Sequence, residues 1–158
     1  MKAASISDIK QELNNLPTAK LLELCLRLAK YKKDNKELLN YLLFKEHDEQ
    51  AYITNVKKQT EEEFEEINKS NLYFVKKSLR KILRTITKHI RYTSSKQAEV
   101  ELIMHFCSTL KNAGIPLKNS TVLNNLYQFQ IKKVAKVIAT LHEDLQYDYL
   151  KELDNLSL

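Results

Sequence analysis

The sequence holds one glycine and two prolines in 158 residues. Tight hairpins draw on glycine, proline and asparagine at fixed turn positions, so this scarcity argues against a sheet of short strands. A lone glycine, Gly114, also excludes the glycine-rich phosphate-cradling fingerprints, each of which needs at least two. Long apolar runs are missing too. No stretch approaches the eighteen or so uninterrupted apolar residues of a membrane span, and the opening Met1-Lys2-Ala3-Ala4-Ser5 leads into a polar helical pattern rather than the apolar core of a signal peptide. Cys25 and Cys107 are the two cysteines. Their spacing matches neither a disulfide framework nor a zinc knuckle, so a reducing, cytoplasmic location without membrane contact is expected.

Leu, Lys, Glu and Ala outnumber the β-branched residues, which favours helix on intrinsic propensity. The expectation is a single all-helical domain over 1–158, of a length that buries roughly 70% of the unfolded chain's surface. Seven helical patterns follow one another. The first starts at Ser5 or Ser7 and ends before Pro17. Thr18 is expected to cap the second, which carries Leu21, Leu22, Leu24, Cys25, Leu26, Leu28 and Ala29. Asp34 and Glu37 have capping-box spacing ahead of a third, with Leu38, Leu39, Tyr41, Leu42, Leu43 and Phe44. From about Asp48 to Asn68 a highly charged fourth pattern keeps only a thin stripe of Ile53, Val56, Phe64 and Ile67. The fifth begins at Ser70 or Asn71 with a clean row of Val75, Leu79, Ile82, Ile86 and Ile90. The sixth, capped by Ser94 or Ser95 and stopped by Gly114 and Pro116, is apolar except along Gln97, Glu101, His105, Ser108 and Asn112. The last starts at Asn119 or Ser120 and runs through Leu123, Leu126, Tyr127, Ile131, Val134, Ile138, Leu141 and Leu145, with a break near His142 left open.

Helices two, three and six are apolar on several sides and are expected inside, whereas four and five show one buried stripe each. Two-sided helices suit an irregular α-α superhelix, a HEAT-like stack, better than a simple four-helix bundle. No period of a regular solenoid is established.

The net charge is +6, but its distribution carries more information. From Leu72 to Ala98 there is no Asp or Glu, while Lys76, Lys77, Arg80, Lys81, Arg84, Lys88, Arg91 and Lys96 all fall there. At about 100° per residue the helical cations lie opposite the apolar row, so burying the row displays them together. Arg80 and Arg84 offer bidentate forks and the lysines point charges, a pattern fit to track a phosphate backbone without sequence selectivity. The competing reading is a solvated strip, or one neutralised by Glu61, Glu62, Glu63, Glu65 and Glu66 on the preceding helix.

Catalytic and metal signals are sparse. None of His47, His89, His105 and His142 lies three residues after a glutamate, which disfavours a helical di-iron site. His105 and Cys107 point in opposite directions from one helix and cannot share a metal locally. Glu101 and His105 do share a face, yet helical Glu–His neighbours are commonly surface contacts. Both cysteines read as small core hydrophobes, and Tyr127 and Phe129 as packing. No catalytic, metal or cofactor residue is assigned.

The segment Leu22-Glu23-Leu24-Cys25-Leu26-Arg27-Leu28-Ala29-Lys30-Tyr31, followed by Lys36-Glu37-Leu38-Leu39-Asn40-Tyr41-Leu42-Leu43-Phe44, resembles an uncharacterised family of all-helical bacterial proteins. That resemblance, mainly over 18–44, implies helical architecture and supplies no functional residue. The function expected is a non-enzymatic module that binds another protein or a second copy of itself. Its alternatives are nucleic-acid binding through Lys76, Lys77, Arg80, Lys81, Arg84, Lys88 and Arg91, and a helical enzyme with an unfamiliar site.

Overall fold

The computed structural model describes residues 2–158, whose backbone gathers into a first compact unit ending at Phe44 and a second running Lys45–Leu158. Among the described residues all regular structure is helical, with no strand.

The first unit contains α1 (Ile6–Asn14), α2 (Thr18–Tyr31) and α3 (Lys33–Phe44). Ser5 caps α1 in a reciprocal box: its hydroxyl accepts from the Asp8 amide at 3.2 Å, and the Asp8 carboxylate accepts from the Ser5 amide at 3.1 Å. The Ser5 hydroxyl, donating to the Asp8 carboxylate at 2.7 Å, and then the Ser5 amide hold that carboxyl below its ordinary pKa. The other two starts differ from expectation. Pro17 occupies the cap position of α2 with no side-chain hydrogen bond, which places Thr18 one residue inside the helix. Lys32 alone, in an extended conformation, joins α2 to α3, so α3 begins before Asp34 and the expected Asp34–Glu37 box is part of its first turns. Asn35 instead ties the joint by donating to the Leu28 carbonyl at 2.8 Å.

A larger correction concerns burial. Helices α2 and α3 were expected inside, yet α2 buries no residue and α3 only Tyr41. Leu22, Leu28, Leu43 and Phe44 are each more than 60% exposed. A wide apolar arc records how much of a helix avoids water, and it cannot say whether the covering neighbour lies in the same chain.

The second unit contains α4 (Glu49–Glu65), α5 (Leu72–Thr93), α6 (Lys96–Asn112), α7 (Thr121–Ile138) and α8 (Glu143–Asp154), with single 3-10 turns at Glu46–Asp48 and Leu117–Asn119. Its centre is α6, on which α4, α5 and α7 all pack, while α8 packs on α7. Ala98, Val100, Phe106, Cys107 and Leu110 on α6 are fully buried. Each neighbour brings one stripe to it: Ile53, Val56 and Phe64 from α4; Val75, Leu79, Ile82 and Ile86 from α5; Leu123, Tyr127, Val134 and Ile138 from α7. Burying a side chain of this size stabilises by about 1.5–3 kcal/mol, so α6 is the element on which most of this unit's cohesion rests. Phe64 meets Phe106 with ring centroids 5.5 Å apart.

Helix ends in this unit follow the sequence closely. Asn71, Ser95 and Ser120 cap α5, α6 and α7 through their side chains. Ser94 (φ 51°) and Gly114 (φ 70°) take the left-handed conformation that ends the helices before them. The last apolar pattern does break near His142: α7 stops at Ile138, and the His142 ring accepts from the Asp144 amide to start α8. This raises the α-helix count to eight among the described residues.

Candidate functional surfaces

The basic strip lies on α5, whose apolar seam is sealed against α6 and α4. That burial fixes the rotation of the helix and turns the opposite arc outward. Lys77, Arg80, Lys81, Arg84 and Arg91 are exposed, and Lys76 and Lys88 are half-buried at its margins. Lys77, Arg80, Lys81, Arg84 and Arg91 enter no ion pair with any described residue. The acidic run of α4 is occupied differently: Glu61 faces His105 at 3.1 Å, and Glu63 accepts from Gln59 on its own helix at 2.9 Å. No carboxylate of the acidic run stands within ion-pair distance of these five cations.

Glu101 and His105, paired by spacing alone, both line a hollow of about 540 Å³ with Lys57, Met104, Ser108, Tyr149, Glu152, Asn155 and Leu156. They do not act on each other. The Glu101 carboxylate accepts from Lys57 Nζ at 3.0 Å, Tyr149 Oη at 3.1 Å and Gln97 Nε2 at 3.4 Å. Burial alone would raise its pKa, but the Lys57 hydrogen bond and charge, together with Tyr149 and Gln97, hold it below the ordinary value. Burial, followed by the neighbouring carboxylate, pushes the Tyr149 phenol up to about 12. His105 Nε2 lies 3.1 Å from Glu61 Oε1, out of line for a hydrogen bond and sealed from solvent. Burial first, and Lys57 as a nearby cation, keep the imidazole below its usual pKa, while Glu61 and the Lys57 backbone oppose them. Glu101 is thus engaged by Lys57, Tyr149 and Gln97, and His105 faces Glu61. Lys57 and Tyr149 come from helices distant in sequence, so nothing local in the α6 pattern announced them. Among the described residues no group of three or more His, Cys, Asp or Glu side chains is placed to hold a metal.

The cysteines separate. Cys107 is fully buried on α6, and burial pushes its thiol up to about 12, as a core hydrophobe should behave. Cys25, expected in the core, is exposed on α2. The aromatic pair divides the same way, with Tyr127 buried and donating to the Leu156 carbonyl, and Phe129 65% exposed.

The feature that sequence reading placed on the wrong side of the surface is the α2–α3 pair. Two hollows flank it. One, of about 290 Å³, is lined by Cys25, Leu28, Ala29, Leu38, Leu39 and Leu42, with Asn35 as its polar member. The other, of about 610 Å³, has a floor of Leu26, Ala29, Leu39, Leu43 and Phe44 and a rim of Lys30, Lys32, Lys33 and Lys36, with Asn40 and no acidic residue. Lys33 is paired with Glu37 at 3.6 Å but its side chain stays 85% exposed. No helix among the described residues is long and apolar enough to cross a membrane. Comparison of the chain with protein-family models, curated proteins and solved structures finds no match, so the functional reading rests on these surfaces alone.

Proposed function

We propose that the protein is a helical interaction module whose α2–α3 pair receives an acidic amphipathic helix of a protein partner. One observation carries this reading: Leu26, Leu43 and Phe44 stand exposed around a hollow lined by four lysines and no acidic residue, with Glu37 reaching Lys33 from outside the lining. Exposed apolar surface of this extent on a rim of polar residues is the usual mark of a docking site. A helix laid into such a groove presents apolar side chains at i, i+3, i+4 and i+7. The lysine rim sets the sign of its flanks. Glutamates beside the apolar stripe would face Lys30, Lys32, Lys33 and Lys36, whereas a basic helix would meet like charge.

The test uses two labelled helical peptides with the same Leu/Phe stripe, one flanked by glutamates and one by lysines. Fluorescence anisotropy should show the acidic peptide bound and the basic one not. Leu26→Asp and Leu43→Asp change exposed positions and should leave the circular dichroism spectrum unaltered while weakening binding at least tenfold. Equal binding of both peptides, or binding indifferent to Leu26→Asp and Leu43→Asp, would sink the proposal.

A further inference from the structure

A separate surface supports a second activity. We infer that the outward arc of α5 binds the phosphate backbone of single-stranded nucleic acid. At about 100° per residue, Lys77, Arg80, Lys81, Arg84 and Arg91 fall within an arc of about 100° centred roughly opposite the buried Ile86. Each is exposed and none is engaged in an ion pair. Lys77, Arg80, Lys81 and Arg84 lie within two turns, where residues three or four apart stand about 5–6 Å from one another, close enough to hold successive phosphates of one strand, and Arg91 follows about 10 Å further along the axis. From Lys77 to Arg91 the row extends about 21 Å along the helix axis. The absence of Asp and Glu from 72–98 leaves nothing on this helix to repel a polyanion.

Tyr73 sits on the same arc at the N-terminal end of the row. It is 59% exposed and meets Phe74 edge-on, with ring centroids 5.6 Å apart. An exposed phenol ring beside a cationic row is the arrangement that stacks an unpaired base while cations hold its phosphates. Cations that meet phosphates carry no sequence information and stacking accepts any base, so binding should tolerate any sequence. An anionic bilayer is the weaker match, because an interfacial helix inserts its apolar face and the seam of α5 is already spent inside the protein.

The experiment measures anisotropy of labelled oligo-dT, oligo-U and a DNA duplex, and co-sedimentation with vesicles containing anionic lipid, across a salt series from low to high ionic strength. The full chain is compared with an Arg80→Glu, Lys81→Glu, Arg84→Glu variant. A second triple variant, Lys118→Glu, Lys132→Glu, Lys136→Glu, loses the same charge from exposed positions elsewhere. Five phosphate contacts to a single strand give a log–log salt slope of about −3.5, and two remaining contacts about −1.4. The α5 variant should lose most of its affinity and slope while the control keeps both. Tyr73→Ala should weaken single-strand binding about fivefold or more without changing the slope. No oligonucleotide binding at low salt, equal losses in both triple variants, preference for the duplex, or vesicle binding without oligonucleotide binding would each overturn the inference. None of these results depends on the α2–α3 surface.

Discussion

Phe106→Ala and Phe44→Ala delete the same side chain from two helices whose sequences look equally apolar, and their costs should differ severalfold. Phe106 is 0% exposed on α6 and packs against Phe64, whereas Phe44 is 61% exposed at the end of α3. Truncating a fully buried phenylalanine removes its transfer free energy and leaves a cavity, about 3–5 kcal/mol in all. Phe44 keeps less than half of its surface out of water and its removal opens no enclosed void. Scaling the 1.5–3 kcal/mol of full burial by that fraction gives about 1 kcal/mol. For a chain of this size the larger loss lowers the melting temperature by roughly 6–20 °C. Urea titration followed by circular dichroism reads both variants, and unchanged m-values would show that the transition midpoint reports stability alone. Comparable costs for the two substitutions would refute the division into a central α6 and an uncovered α3.

Three further outcomes follow from local features. The His105 pKa is lower in the folded protein than its reference value of 6.5, so the unfolded chain takes up the proton first as pH falls. Stability from the neutral imidazole is complete above 6.5 and is lost as pH drops through the folded value. His105→Gln should flatten the stability–pH curve in that window, and an unchanged or steeper fall would contradict the assignment. Ser94 holds a left-handed backbone at φ 51°, so Ser94→Gly should raise stability by about 0.5–1 kcal/mol in thermal melts, and a decrease would mean that its weak contact to the Arg91 carbonyl matters more. Iodoacetamide should modify Cys25 in the native protein and leave Cys107 untouched until denaturant is added, read by mass spectrometry. Native labelling of Cys107 would mean that α6 opens.

The sequence carried the second unit well because each outer helix there has a single apolar stripe. Val75, Leu79, Ile82 and Ile86 predict one buried face, which α6 and α4 cover, and the opposite cations follow by rotation. The polar strip Glu101–His105–Ser108 on α6 was legible as a strip, but Lys57 and Tyr149 reach it only through tertiary packing. Side-chain caps were readable to within two candidates each, because a hydroxyl or amide before an apolar pattern can cap it, and the structure selects Ser5, Asn71, Ser95 and Ser120. Thr18 and Asp34 failed that rule for a local reason: Pro17 and Lys32 supply the extended residue, so both helices start earlier. The first unit misled on burial. Leu22, Leu28, Leu43 and Phe44 have the pattern of a core, and an apolar docking surface is built from the same residues as a core.

The most direct measurement of the α2–α3 reading is a charge exchange across the proposed contact. A Lys30→Glu, Lys32→Glu, Lys33→Glu, Lys36→Glu variant, confirmed helical by circular dichroism, is titrated with the glutamate-flanked and lysine-flanked peptides in parallel with the unaltered chain. The account predicts that preference inverts, with the acidic peptide released, the basic one bound, and amide resonances of Leu26, Leu39 and Leu43 shifting in each productive pair. A preference that stays with the acidic peptide, or shifts confined to the second unit, would contradict it.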